Sequence, residues 1–327
     1  MKTIKRILCI TMALLLGLGL FAPAAAATAQ TPEGPRPWHI QPLLIRVPQD
    51  IYGMIAFGSR RVAILIYHDG YLVYENYRRN FCGNTPLPAF SVTKSMLATI
   101  IGAAIYQGYV ECITQLVYPF FPEVVLDEQD NKRNMTIEHL MLMTSGLPSN
   151  NLGLLLECDD MGLAAFSLPQ SREPGENYSY CNTSGPQVLV SIVERATGQG
   201  FFEFAQAHVF EPLGMTSISW DTTRCGRPLG AWGLRISALD MLRWGQLKLY
   251  DGVWDNTRIL PEGWTELVRP DNVINPMSIG HLWWGSFINP IRGTAFAARG
   301  LHGQFLTIYP SDNTIVVRTG TGPVSRL

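Results

Sequence analysis

The sequence predicts a mixed α/β fold: one antiparallel sheet built from strands at both ends of the chain, flanked by helices, with a mainly helical region inserted between them. Three observations carry this expectation. Val62 to His68 and Tyr71 to Tyr77 are β-branched and aromatic runs joined by Asp69-Gly70, a pair suited to a two-residue turn with positive φ. Near the other end, Gln304 to Tyr309 and Thr314 to Thr319 form a second such pair, joined by Pro310, Ser311, Asp312 and Asn313. Between the two hairpins the punctuation is that of helices.

An apolar stretch opens at Ser91 and runs to about Gln107, stopping at Gly108. A second helix is expected from Thr136 to Gly146, where a glycine suits a left-handed cap. The third opens with Ser184 and Gln187, spaced as a capping box, and stops near Gly198. Ser237 and Asp240 open a fourth in a similar way. Ahead of the first hairpin, Thr31 to Pro48 is rich in proline and reads as a wrapping arm. The expected organisation is an α/β core from 30–110 and 231–327, with a helical insertion at 111–230.

A chain of 327 residues with 47% hydrophobic residues can bury a large core. Its first residues have the order of a cleaved secretory signal over 1–29. Lys2, Lys5 and Arg6 precede an apolar run from Ile7 to Phe21, and small residues follow from Ala24 to Ala29. A retained membrane anchor would need about 20 apolar residues, more than this run supplies. Export to a periplasmic or extracellular compartment is the expectation, with no stable membrane insertion after cleavage. Removing the basic leader leaves a mildly acidic chain without a basic run, which argues against nucleic acid and anionic membrane partners. Five cysteines remain, at 82, 112, 158, 181 and 225, so they cannot all pair within one chain. A Cys158–Cys181 bridge would restrain the segment leading to Tyr180. Neither zinc-type cysteine spacing nor an HExxH sequence is present, so no metal is expected.

The chemistry concentrates at Ser91-Val92-Thr93-Lys94. A spacing of three at a helix start sets both side chains on one face, so the amine can reach the hydroxyl. First-turn N–H groups also point toward anything bound there. A serine becomes nucleophilic only with an adjacent base, and a lysine in an apolar site can lose its proton near neutral pH. The ordinary alternative is a surface serine beside a surface lysine. Against it, the chain after the leader holds only three lysines (94, 132, 248) and 17 serines, so chance predicts on the order of 0.2 Ser-x-x-Lys matches. The run after Lys94 is almost entirely apolar, as in a buried helix.

Two further stretches are candidates. Tyr180-Cys181-Asn182 sits on a loop entering the third helix; a tyrosine can relay a proton, and an asparagine amide can hold a substrate carbonyl or the lysine. Ala298-Arg299-Gly300-Leu301-His302-Gly303-Gln304 enters the last hairpin, where glycines allow close backbone approach. A main-chain N–H there could complete an oxyanion hole with that of Ser91. Each has an ordinary reading as a loop or turn, and His302 reads equally as a pocket residue or a loop imidazole.

In this order the elements resemble the serine β-lactamase and penicillin-binding-protein superfamily, in the branch of class C enzymes, family VIII carboxylesterases and 6-aminohexanoate-dimer hydrolases. Ser91-Val-Thr-Lys94 is similar to its SxxK motif and Tyr180-Cys-Asn182 to its YxN motif. Ile137 to Leu147, Glu211 to Met215 and Leu282 to Gly285 fit too, and the likeness spans roughly residues 50 to 320. The resemblance implies Ser91 as nucleophile, Lys94 as general base, Tyr180 as proton relay, and an acyl-enzyme mechanism that needs no cofactor. Asn182, Gly300, Leu301 and His302 are the implied substrate and oxyanion residues, with the N–H of Leu301 as second oxyanion donor. The third motif departs from Lys-Thr-Gly: the matching stretch is Ala298-Arg299-Gly300 or, in another register, Leu301-His302-Gly303. Without its lysine, which would bind a carboxylate, the expected substrates are small esters or linear amides. The competing functions are a β-lactamase or D-Ala-D-Ala peptidase, and a non-catalytic binding protein on the same scaffold. Chain end at Leu327 follows soon after the last strand, where relatives usually add a helix, so an abbreviated or truncated terminus is expected.

Overall fold

The computed structural model describes residues 39–40, 61–149, 153, 156–180, 183–270, 279–285 and 295–321. The signal segment 1–29 lies outside them, as does most of the proline-rich arm. Strands β1 (His39–Ile40), β2 (Arg61–His68) and β3 (Tyr71–Tyr77) open the fold. The β2–β3 turn is as the sequence predicts: Asp69 and Gly70 both take positive φ, at 46° and 92°. A short strand β4 (Leu87–Pro88) then leads into helix α1 (Val92–Tyr106). Residues Val92 to Ala104 of α1 are buried without interruption, which is why the helix needs no polar face. Gly108, at φ 79°, turns the chain away from it.

The helical region contains α2 (Ile137–Met141), α3 (Met161–Ser167), α4 (Ser184–Thr197) and α5 (Phe201–Ala205). Two expectations about it need correction. Helix α2 keeps its cap, with Thr136 and His139 bonded reciprocally, but stops at Met141 instead of reaching Gly146. Met143 has φ 58°, and the following carbonyls turn outward to hold another segment. The Ser184–Gln187 pair is not a capping box. Thr183 is the cap residue, Ser184 Oγ donates to the Pro148 carbonyl at 2.5 Å, and Gln187 exchanges bonds with Pro228 and Gly230. The far end of α4 is as expected, with Gly198 left-handed at φ 69°.

The chain then returns through β5 (Ile218–Trp220), β6 (Leu234–Ile236) and α6 (Ala238–Leu249), the last capped by Ser237 accepting from the Asp240 N–H. After a small hairpin of β7 (Val253–Trp254) and β8 (Thr257–Arg258) come α7 (Trp264–Val268), β9 (Trp284–Gly285), β10 (Phe296–Gly300), β11 (Gln304–Tyr309) and β12 (Thr314–Gly320).

The main sheet has the order β1-β3-β2-β12-β11-β10-β9. Its seam is the antiparallel pairing of β2 with β12, from His68↔Thr314 to Ala63↔Thr319, which joins the two ends of the chain as the sequence predicts. Among the described strands, only β1 departs from the antiparallel pattern, lying parallel to β3. Helix α6 presses on the sheet so closely that a Cβ on Gly245 would stand 2.9 Å from Ile315 and Leu306. A second sheet, β4-β6-β5, was not foreseen, because its strands are two or three residues long and far apart in sequence. It holds the approach to Ser91, with the Ala89 N–H donating to the Leu234 carbonyl at 2.8 Å. The described residues all fall within one compact unit.

Candidate active site

Ser91 is the residue from which α1 starts, and the residue before it is strained. Phe90 has φ 50°, a region that bulky side chains enter rarely and hold only where the surroundings over-determine them. Thr93 supplies that constraint. Its hydroxyl donates to the Phe90 carbonyl at 2.5 Å and accepts from the Leu234 N–H at 3.1 Å, tying the turn to β6.

One turn into α1, Lys94 is 1% exposed. Its Nζ donates to Ser91 Oγ at 3.2 Å and to the Ala231 carbonyl at 2.8 Å. Tyr180 arrives from the other side, its hydroxyl 2.9 Å from the same Oγ, with Lys94 Nζ 5.2 Å from its ring centre. The structure therefore brings Ser91, Lys94 and Tyr180 into one hydrogen-bonded cluster across 89 residues of sequence. Asn182 and Cys181 lie outside the described residues, so the expectations resting on them, including the Cys158–Cys181 bridge, do too.

Tyr180 is placed by backbone. The carbonyls of Met143, Thr144, Ser145 and Gly146 accept in turn from the Ser179 N–H, the Gly175 N–H, the Gln170 side-chain amide and the Ser171 N–H. Gly146 is needed there for room as well as for its φ of 73°, since a Cβ would lie 2.2 Å from the Arg172 carbonyl oxygen. This is the work of the stretch between α2 and the Tyr180 loop. Next to Tyr180, the hydroxyl of Tyr178 has no hydrogen-bond partner among the described residues, and burial raises its pKa well above the usual phenol range.

The third candidate stretch closes the site's other edge. A Cβ on Gly300, the last residue of β10, would meet the Ala89 carbonyl oxygen at 2.2 Å, so the strand end abuts the turn that carries Ser91. Leu301 follows at 65% exposure, and His302 adopts φ 60° with its ring 5.0 Å from that of Phe90. Beneath the turn, Arg318 of β12 donates to the Gly303 carbonyl at 2.5 Å, and Gly303 has no space for a side chain because that guanidinium fills it. Arg299 sets its guanidinium 5.5 Å from the Phe305 ring centre.

Sequence reasoning missed Phe90, Thr93, Ala231 and Arg318 as parts of this arrangement. A signal existed for Arg318, a charge in the otherwise apolar and threonine-rich run Thr314 to Thr319. Trp283 and Trp284 are both buried. Trp283 is core, packed on Trp244 and Phe296 at 5.2 and 5.1 Å, while Trp284 lies 6.3 Å from the Tyr180 ring. Among the described residues no group of His, Cys, Asp or Glu is arranged to hold a metal ion. No described helix is long and apolar enough to cross a membrane.

The family model for beta-lactamase matches residues 56–325. The chain belongs to the beta-lactamase family. It is a serine hydrolase of the β-lactamase fold, as the Ser-x-x-Lys and Tyr-x-Asn stretches imply. The 6-aminohexanoate-dimer hydrolase of Paenarthrobacter ureafaciens is 23% identical to it over 343 aligned positions, covering 94% of this chain and 84% of that one. A solved Bacillus anthracis protein described as a 6-aminohexanoate-dimer hydrolase superposes with a TM-score of 0.69 at 24% identity, over 88% of this chain and 82% of that one. A D-stereospecific amidohydrolase from Streptomyces superposes with a TM-score of 0.62 at 14% identity, over 83% and 92%. These superpositions agree in fold.

Proposed function

We propose that this β-lactamase-family chain hydrolyses small esters or linear amides through an acyl-enzyme on Ser91. The observation that carries the reading is the pair of contacts on one oxygen: Lys94 Nζ at 3.2 Å and the Tyr180 hydroxyl at 2.9 Å from Ser91 Oγ. A hydroxyl between an amine and a phenol can lose its proton to one and have a leaving group protonated by the other. Neutral Lys94 takes the Ser91 proton while Oγ bonds to the substrate carbonyl carbon. The resulting oxyanion is held by the N–H groups of Ser91 and Leu301. Tyr180 passes a proton to the departing alcohol or amine, recovering one from Lys94, and the carbon–heteroatom bond breaks. Water then repeats the sequence with Ser91 as leaving group, releasing the acid. Burial of Lys94 favours the uncharged amine that the first step requires.

The substrate class is supported by three features. The third motif offers Ala298 where a carboxylate-binding lysine would stand, and the adjacent Arg299 lays its guanidinium over the Phe305 ring. Exposed Leu301 offers apolar surface at the third motif, and buried Trp284 packs beside the Tyr180 ring. One relative named above is a hydrolase of a linear amide dimer. Asn182 is proposed to orient the substrate carbonyl, and export through the 1–29 signal to place the enzyme outside the cytoplasm.

A fluorophosphonate probe should label the purified protein on the Ser91 peptide, and Ser91→Ala should abolish both labelling and turnover while leaving the fold intact. Mass spectrometry locating the adduct on another serine would refute the assignment. On the unlabelled wild-type enzyme, kcat/KM for p-nitrophenyl butyrate should clearly exceed that for nitrocefin. The reverse order would make the chain a β-lactamase in activity as well as in family.

A further inference from the structure

We propose that His302 is a positioning residue that acts through Phe90: an aromatic clasp across the two strained turns flanking Ser91, and not a ligand of substrate. Both residues sit in the left-handed region, Phe90 at φ 50° and His302 at φ 60°. Their rings meet edge-on, with centres 5.0 Å apart and planes at 72°. Such edge contacts between rings are directional, so each ring fixes the other's turn as well as its own position.

The surrounding contacts make this pair the free variable of the local structure. Below the ring pair, Gly300 is already pressed against the Ala89 carbonyl, and Arg318 already holds the Gly303 carbonyl. On the other turn, Thr93 already anchors the carbonyl of Phe90. Backbone and buried side chains therefore fix the outer ends of both turns. What remains between them is the relative setting of residues 90–91 and 301–302. Those segments carry the two N–H groups, of Ser91 and Leu301, to which the oxyanion is assigned above. An oxyanion hole works through donors held in place before the reaction, so a contact that couples the two turns acts on the transition state more than on substrate binding. The inference about rate rests on the proposed acyl-enzyme chemistry. The inference about the clasp itself does not.

The experiment compares His302→Phe, His302→Asn and His302→Ala with Phe90→Leu, in the full mature chain. Phenylalanine keeps an aromatic edge without a titratable or hydrogen-bonding ring. Asparagine tolerates positive φ and hydrogen-bonds, but has no ring. An edge contact of this kind corresponds to roughly a three- to tenfold change in rate. The expectation is that His302→Asn, His302→Ala and Phe90→Leu each lower kcat by that factor with KM little changed, while His302→Phe stays close to wild type with the same pH profile. Phe90→Leu combined with His302→Ala should cost no more than either alone, because one contact is lost in all three.

Amide hydrogen exchange gives a second readout that needs no substrate. Exchange at Leu301 and Gly303 should quicken in Phe90→Leu, which touches neither residue's backbone, and in His302→Ala, and should stay at the wild-type rate in His302→Phe. The proposal is overturned if asparagine preserves kcat and phenylalanine does not. It is overturned equally if no His302 variant changes kcat, if the two single losses multiply, or if Phe90→Leu leaves exchange at 301–303 unchanged. Should the wild-type protein fail to label at Ser91, the acyl-enzyme reading falls, and the exchange measurements still decide the clasp.

Discussion

Lys94 and Lys248 are both lysines on helices, both essentially absent from the surface at 1% and 0% exposure, and they differ in what surrounds the amine. Lys94 Nζ has an acceptor in the Ala231 carbonyl at 2.8 Å and a hydroxyl partner in Ser91. Lys248 Nζ has no hydrogen-bond partner among the described residues and lies 5.6 Å from the centre of the Trp283 ring. Its neighbour in charge, the Asp251 carboxylate, is taken up by the N–H groups of Gly263 and Thr265. Burial lowers the Lys248 pKa to about 7, against which Asp251 pulls only partly. Burial by itself therefore makes a costly amine; a site requires burial together with a partner on which the amine can act.

The largest effect that could break this contrast is on turnover. Lys94→Arg should slow acylation of Ser91 by roughly 10²- to 10⁴-fold, nearly as much as Lys94→Ala, because a guanidinium cannot give up its proton. Rates of adduct formation measured by rapid-quench mass spectrometry decide it. An arginine variant that kept most of the wild-type rate would make Lys94 a fixed charge.

Lys248→Met should behave in the opposite sense, raising stability by an amount on the order of 1–4 kcal/mol at pH 7 with no loss of turnover, since it removes an unpartnered buried amine at similar volume. Urea unfolding followed by tryptophan fluorescence reads this directly. A destabilised Lys248→Met would mean that Nζ makes an interaction the folded chain depends on.

A smaller effect is the pH dependence of that same stability. Between pH 7 and 10.5 the folded chain holds Lys248 largely deprotonated while the unfolded chain holds it protonated. The unfolded state binds more protons throughout that window, so raising the pH should favour folding, by at most about 1.4 kcal/mol per pH unit from this one group. The slope should be absent in Lys248→Met. An equal slope in the variant would assign it to other groups.

How much of this was legible in the sequence depends on the range over which each contact acts. Ser91 and Lys94 were legible because both lie on one helix, where a spacing of three leaves little freedom. The Asp69-Gly70 hairpin and the Ser237 cap were legible for the same reason. The α2 end was not. Its N-terminal cap is local, but the helix stops because the carbonyls from Met143 to Gly146 are claimed by the segment 170–179, some thirty residues on. Ser184 and Gln187 misled in a related way: hydroxyl and amide groups that would cap their own helix bond instead to Pro148, Pro228 and Gly230. Short-range rules describe a group's options, and a distant partner with better geometry overrides them.

From the sequence alone came the two hairpins, the mixed α/β class, the buried helix behind Ser91 and the three catalytic candidates, since periodicity, turn chemistry and close spacing are properties of a few neighbouring residues. Only the tertiary structure decided that β2 and β12 meet in register, that Tyr180 reaches the same oxygen as Lys94, that Thr93 ties the strained Phe90 turn to Leu234 of β6, and that His302 faces Phe90. Each of these joins residues tens to hundreds of positions apart. Their meeting is set by how the whole core packs, and no local pattern encodes it.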